Sequence, residues 1–454
     1  MSSTTKQRPK GPVAAFMRPI NTLVERYIPS ALVFVIVLTV IVAILALILT
    51  DSGPVDVVRS WGDGLAGLLA FMTQMALVLL FGHMLANTSP VHRLLGRLGR
   101  VPQTSLQCYL FVFVVASIAS LITWGLGLVV GGLLAKEVAA QMRAKGIRVH
   151  FALLVAAGYS GFVVWHMGYS GSGPLTAATE GSFLAEQLGR TIPLSETTFS
   201  LWNISAAFAT IVIVALALAL VAPRRHSDIY ELNFDARETE VAEEAVTTPA
   251  DRLDASRLLT MLVGLALVAY LVVHFVEGGT LTLDIVNWTF LALIFLLVRN
   301  PFELIRLTKD AASNVGDILL QFPLYAGILG MMTGTGLIGI FSDFFVDIST
   351  AQTFGVFALL SAGLVNFFVP SGGGQFAVQG PIMLDAAERL GVDPSIAIMA
   401  VSYGDQWTNM IQPFWALPLL AIAGLKMRDI LGYTTVTFLA AGLVFIVTML
   451  LVSL

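Results

Sequence analysis

Charge is scarce in this chain, and cysteine is almost missing. Only 12% of the 454 residues are charged, against 57% hydrophobic, and there is one cysteine. That lone Cys108 excludes an intrachain disulfide and any cysteine-based metal cluster. The HExxH pair, the GxxxxGK phosphate loop and paired carboxylates are also missing, so ATP hydrolysis and metal-dependent chemistry have no footing. No metal, cofactor or nucleic-acid partner is expected. The net charge of -4 decides little, because the placement of charges outweighs their sum in a chain this apolar.

Long apolar runs are what the sequence does have. They recur from Ile28 to the C-terminus at lengths of about 20 residues. Lipid offers the backbone no hydrogen-bond partner, so only helices and closed barrels span it, and these runs are too long for barrel strands. The chain reads as an all-α polytopic membrane protein. Spans are expected over 28–50, 61–86, 149–168, 199–222, 258–276, 287–299, 316–338, 394–425 and 431–453. The first run is too long for a signal-peptide core and lacks a small-residue cleavage site, so it is read as retained.

Two further apolar stretches, 105–142 and 352–390, break midway at TWGLG and VPSGGGQ and read as helical hairpins. Residues 223–257 carry ETEVAEE and no apolar run. They form a cytoplasmic linker between a first membrane repeat, 28–222, and a unit over 258–454 made of a linking span and a second repeat. PFELIRLTKDAASN (301–314) opens with proline and mixes charged with apolar residues, which suits a helix lying in the interface.

Taking the N-terminal segment 1–27 as cytoplasmic puts all but three of the 25 basic residues inside, as the positive-inside rule asks. The exceptions are Arg59, Arg190 and Arg389. Both ends of hairpin 105–142 are basic, whereas 352–390 is flanked by Asp343, Asp347, Glu388 and Asp393. The hairpins are therefore expected to enter from opposite faces. A shift of 245 residues pairs Gly82 with Gly327, Thr88 with Thr333, Gly127 with Gly372 and Gly146 with Gly391, and a shift of 244 pairs Tyr159 with Tyr403. An odd number of crossings separates the paired segments, so the repeat is expected to be inverted, the plan of many secondary transporters.

In transporters of that plan, irregular backbone at membrane depth lines a cavity, and half-helix N-termini aim positive dipole ends at anionic groups. SGGGQ (371–375) fits, because glycines let backbone N–H groups approach a ligand while Ser371 and Gln375 offer side-chain hydrogen bonds. Close helix packing through small residues is the plainer reading of a glycine run. Pro370 before the run and the matching break at TWGLG weigh toward a site.

SYGDQWTNMIQPF (402–414) contains Asp405, the one acid well inside an apolar span. Burying it costs roughly 2.5 to 3.5 kcal/mol. Gln406, Thr408, Asn409 and Gln412 surround it with amides and a hydroxyl, and Pro413 removes a helix hydrogen bond, so a broken helix is expected. Asp405 is either a structural acid or a carboxylate that couples an ion or orients a substrate. Trp407, Phe414 and Trp415 could wall an apolar pocket, although aromatics in membrane helices more often pack or anchor.

The matching island in the first half is GYSGFVVWHMGYSGSGPL (158–175). Histidine titrates near neutral pH, so His166 could carry a proton, or it could be a hydrogen-bonded structural residue. GYSG, at 158 and 168, resembles the GxSG element of rhomboid-type intramembrane serine proteases, which also need a histidine base beside the serine. The repeat explains the same segment without catalysis. A channel is a further alternative, but the sequence shows no charged ring or repeated pore helix.

No Lys or Arg is left in the middle of a span. A multiply charged anion would be poorly neutralised there, whereas a single carboxylate could be held by helix N-termini and amide donors. The expected cargo is small, singly negative, and accompanied by a proton or Na+.

WGDGLAGLLAFMTQMAL (61–77), NFFVPSGGGQFAVQGP (366–381), YGDQWTNMIQPFWALPLLAIAGL (403–425) and RDILGY (428–433) closely resemble the bacterial short-chain fatty acid transporter family. WGLGLVVG (124–131) and GYSGSGPL (168–175) fit as well, so the likeness covers most of the membrane part. The resemblance implies the ion transporter superfamily fold, with inverted repeats, two hairpins and broken helices around a central site. It also implies a non-enzymatic secondary carrier in the bacterial inner membrane, taking up short-chain fatty acids such as butyrate or acetoacetate. A homodimer is one assembly that analogy with superfamily relatives offers.

The expected site follows from these segments. Asn366 with Ser371, Gly372, Gly373, Gly374 and Gln375 forms the outer hairpin tip, and Trp124, Gly125 and Gly127 form the inner one. Tyr403, Gln406, Trp407, Thr408 and Asn409 line the site from the broken helix, with Tyr159 and Ser160 opposite. Asp405 and His166 are the candidates for ion coupling.

Overall fold

The computed structural model describes residues 31–223, 246–313, 315–367, 369–412 and 414–454. The segment 1–27, most of the linker 223–257, and Pro413 with its proposed part in breaking the helix lie outside the described residues. The rest is helical, because an apolar chain in lipid must satisfy its backbone within each segment.

The first half opens with α1 (Ala31–Leu49), α2 (Pro54–Gly64), α3 (Leu69–Ala86) and α4 (Ser89–Leu98). The span expected over 61–86 is thus split, with a turn at residues 65–68. Gly64 precedes that turn and Gly67 lies within it, and glycine costs a helix interior about 1 kcal/mol. Gly64 is needed there, since a Cβ would fall 2.8 Å from the Gly330 Cα. Hairpin 105–142 is α5 (Ser105–Ile122) and α6 (Trp124–Ala144), which reverse at Thr123 through extended backbone (φ -154°, ψ 136°). At 1.5 Å per residue the arms reach about 27 and 32 Å, enough to cross the hydrocarbon layer.

Next comes the polar island. α7 (Phe151–Ser160) tightens into a 3-10 turn, Gly161–Met167, and the chain breaks before α8 (Ser172–Ala178). At the break Gly168 passes so close to the α5 end that a Cβ would sit 2.2 Å from the Leu121 carbonyl oxygen, and the Tyr169 N–H donates to that same oxygen at 2.6 Å. α9 (Phe183–Leu188) and α10 (Leu201–Val221) close this half.

The second half contains α11 (Pro249–Asp254), α12 (Arg257–Val276), α13 (Leu283–Leu297) and α14 (Pro301–Ala312), the last a helix within the expected 301–314. α15 (Gly316–Gly334) and α16 (Leu337–Ile348) meet at 78°, with Gly336 at φ 80° between them. The span expected over 316–338 therefore turns sharply at its end. Hairpin 352–390 is α17 (Phe354–Asn366) and α18 (Gly372–Leu390). The span expected over 394–425 is broken into α19 (Pro394–Thr408) and α20 (Ala416–Ala423), and α21 (Met427–Val452) ends the chain.

Burial sorts these helices into a centre and a rim. Every residue of 151–178 except Tyr169 is buried, whereas the apolar windows of α12 and α10 are 17% and 28% buried. The rim helices turn leucine and valine outward, where lipid tails are as apolar as the side chains themselves. Among the described residues, seven helices are long and apolar enough to cross a bilayer, or eight if the bent α15–α16 pair counts as one span. α17 lies along α19, α15 against α2, and α10 against α21.

One buried carboxylate ties α14 to α4. Glu303 accepts from the Arg299 N–H at 2.6 Å, from the Ser89 N–H at 3.2 Å and from the Ser89 hydroxyl. It therefore sits on two helix N-termini, where a negative charge is favoured. Glu303→Ala is expected to cost about 2 kcal/mol, because these buried donors lose a charged acceptor. The readout is the midpoint of thermal unfolding in detergent, with Glu303→Gln recovering part of the loss.

Candidate functional site

The two polar islands meet at full burial. Asp405 lies in the last turn of α19, and its Oδ2 is 3.0 Å from Nε2 of His166 in the 3-10 turn. Both side chains are 0% exposed. The His166 N–H donates to Gln406 Oε1 at 3.0 Å, which fixes the 3-10 turn against α19. Glu303 is the other buried acid among the described residues, and it lies at the helix ends rather than in this centre.

Three elements are pinned around the pair. Asn366, at the end of α17, donates from Nδ2 to the Asp405 carbonyl (2.9 Å), Thr408 Oγ1 (2.8 Å) and Asn409 Oδ1 (2.8 Å). The Gln412 side chain donates back to the Asn366 carbonyl at 3.3 Å. From the first half, the Tyr159 hydroxyl donates to the Asn409 carbonyl at 2.7 Å. The hairpin arm, the broken end of α19 and α7 thus share one hydrogen-bonded cluster. α18 begins beside it. Ser371 caps that helix by accepting from the Gly374 N–H at 3.3 Å. A Cβ on Gly372 would lie 2.8 Å from His166 Nε2 and 2.6 Å from the Trp165 ring.

A cavity of about 40 Å³ opens at this tip. Its lining includes Ser371, Gly372 and Gly373 from hairpin 352–390, Trp124 from hairpin 105–142, and Phe162, Trp165, Phe414 and Trp415. Met75, Ile318, Gln321, Phe322 and Ser172 complete it, and none of these residues is charged.

The other expected site residues lie elsewhere. Gln375 Nε2 donates within its own hairpin, to the Ala362 carbonyl (2.8 Å) and Gln379 Oε1 (3.0 Å). Gly374 backs onto Tyr325, Gly125 onto Gly82, and Gly127 onto Ser120 of the facing hairpin arm. The Tyr403 hydroxyl donates to Asn203 Oδ1 at 2.8 Å, and Ser160 shares a hydrogen bond of 2.7 Å with Thr437. Trp407 stacks on Phe438 at 4.5 Å and donates to its carbonyl, on the α21 side of α19. As for the paired GYSG elements, Ser160 bonds Thr437, Ser170 Oγ accepts from the Trp124 N–H, and His166 is engaged by Asp405.

Sequence reasoning passed over Trp165, Phe162, Met75 and Phe322 as lining residues. Trp165 stood beside His166 in the polar island, which was the one signal for it. Met75 and Phe322 read as ordinary members of apolar runs.

Two hairpins and two broken helices converging on a buried polar cluster define a multi-pass membrane protein of a transporter fold. The fold is similar to that of the YdaH transporter of Alcanivorax borkumensis, with a TM-score of 0.59 at 17% identity over 92% of this chain and 97% of that one. It is also similar to MtrF of Neisseria gonorrhoeae, with a TM-score of 0.53 at 15% identity over 95% and 97% of the two chains. Residues 13–452 match the family described as Short chain fatty acid transporter, and the chain belongs to that family. A protein of Escherichia coli (strain K12) named for short-chain fatty acid transport is 39% identical over 442 residues, covering 96% of this chain and 98% of its own. A protein of Haemophilus influenzae named in the same way is 36% identical over 450 residues, covering 96% and 99% of the two chains.

Proposed function

We propose that this transporter takes up short-chain monocarboxylates such as butyrate or acetoacetate by alternating access, each with one proton held by His166 and Asp405. The observation that carries the reading is the 3.0 Å contact between these side chains at full burial, joining the first half of the chain to the second. Family membership supports the cargo, and a cavity lining without fixed cations suits one carboxylate better than several. The pair's chemistry supports the proton, since an imidazole and a carboxylate between them bind or release one without any other change of ligand. The placement of basic residues supports an inner-membrane protein with a cytoplasmic N-terminal segment and two inverted halves.

The test is uptake of labelled butyrate into proteoliposomes under a pH gradient and a Na+ gradient imposed separately. Undissociated butyric acid crosses lipid unaided, so the readout is the initial saturable rate above protein-free vesicles. Acidifying the outside should raise that rate, and a Na+ gradient alone should not. Saturable uptake driven by Na+ and indifferent to pH would discard the proton. Faster uptake of dicarboxylates than of monocarboxylates of similar size would discard the cargo.

A further inference from the structure

The cavity at the outer hairpin tip contains hydrogen-bonding capacity that the His166–Asp405 pair does not use. Three buried indole N–H groups lack a partner among the described residues, and two of them, Trp165 and Trp415, belong to residues lining this cavity. Indole N–H is a donor only, and buried donors in proteins normally find an acceptor. Trp407 does so, donating to a carbonyl at 2.7 Å.

The two rings are held by their neighbours. Trp165 stacks on Phe162 with centroids 5.5 Å apart and planes 8° apart, and Trp415 stands edge-on to Trp124 at 5.0 Å. The first residues of α18, Gly372 and Gly373, line the same space, where a helix N-terminus offers unpaired N–H groups and a positive dipole end. Donors and apolar side chains adjoin in this space: Met75 and Phe322 come within 3.2 Å of where a Cβ on Gly373 would lie, and with Ile318 they contribute only hydrocarbon and thioether. At about 40 Å³ the space holds little more than water and is smaller than a four-carbon acid, so the acid enters only when the hairpin tip and the α19–α20 break move apart.

We propose that this cavity is the substrate site, that the Trp165 and Trp415 indole N–H groups donate to the carboxylate oxygens, and that the Met75–Phe322 wall sets the acyl chain length. The inference rests on the short-chain carboxylate reading given above and adds the residues that select within it. Phenylalanine at 165 or 415 keeps the packing ring and removes the donor. Alanine at 322 keeps both donors and lengthens the apolar end.

The test uses the full chain in nanodiscs with 15N-labelled tryptophan, the two resonances being assigned with Trp165→Phe and Trp415→Phe. Butyrate should shift both indole N–H signals saturably, and the neutral amide butyramide should shift neither. In counterflow, where no ion gradient acts, Phe322→Ala should raise the hexanoate-to-butyrate rate ratio about tenfold or more, the worth of a methylene in an apolar pocket. Indole signals unmoved by saturating butyrate, in protein that still exchanges butyrate, would overturn the carboxylate assignment and leave the transport function standing. An unchanged ratio in Phe322→Ala would overturn the chain-length wall. Wild-type protein that exchanges no short-chain acid would overturn the function and this inference with it.

Discussion

Asp405→Asn is expected to keep butyrate counterflow running while removing the acceleration that an acid exterior gives to net uptake. Asparagine has nearly the shape of aspartate, and its carbonyl can still accept from His166 Nε2 across the 3.0 Å contact. It cannot be ionised, so the pair loses the carboxylate charge. On the proposed coupling, a bound carboxylate and the Asp405 carboxylate repel each other through a medium of low dielectric, so anion and proton load together. With asparagine the anion loads alone, and a one-unit pH gradient, worth about tenfold in driving force per proton, no longer reaches the carrier. Counterflow, which needs no net proton movement, continues. Undiminished stimulation by an acid exterior in Asp405→Asn would sink this role for the residue. Removing His166 instead is less informative, because a buried aspartate left without its partner costs about 3 to 5 kcal/mol and threatens the fold itself.

Gly404→Ala should be more damaging than its size suggests. A Cβ at Gly404 would lie 2.3 Å from the Leu359 carbonyl oxygen, 2.5 Å from Ala362 Cβ and 2.8 Å from the Gly363 nitrogen. Two of these three atoms are backbone and cannot rotate aside, so α19 must move away from α17 at this crossing. The Asn366 hydrogen bonds to Asp405, Thr408 and Asn409 span that same crossing and would stretch together. Overpacking a close contact costs roughly 1 to 3 kcal/mol, and the lost hydrogen bonds add to it. The expected result is a lowered unfolding midpoint in detergent and strongly reduced counterflow. Gly62→Ala is the control. A Cβ there meets nothing within 4 Å, so stability should hold or rise slightly. Wild-type stability and transport in Gly404→Ala would show that the helices do not cross this closely.

Much of the architecture was legible because lipid enforces simple rules. Apolar runs had to be helices, and glycine–proline interruptions had to be turns or breaks, so both hairpins and both polar islands could be located from composition. The breaks inside apolar stretches were harder. The turn at 65–68 and the bend at Gly336 fall where the hydrophobicity hardly changes, and what decides them is close contact, as between Gly64 and Gly330. Trp407 and Trp415 looked equivalent in sequence, eight positions apart in one motif. The helix end at Thr408 separates them, so Trp407 packs on Phe438 while Trp415 lines the cavity.

By itself the sequence determined the class of protein, its solvent, its family and the residue types available for a site. It did so because hydropathy, charge placement and long motifs are properties of neighbours along the chain. Only the tertiary structure decided which polar groups answer one another. His166 and Asp405 are 239 residues apart, and Asn366 lies 39 to 43 residues from the groups it bonds. No local pattern encodes that the 3-10 turn and the end of α19 come within hydrogen-bonding distance, since that meeting is set by the packing of every helix between them.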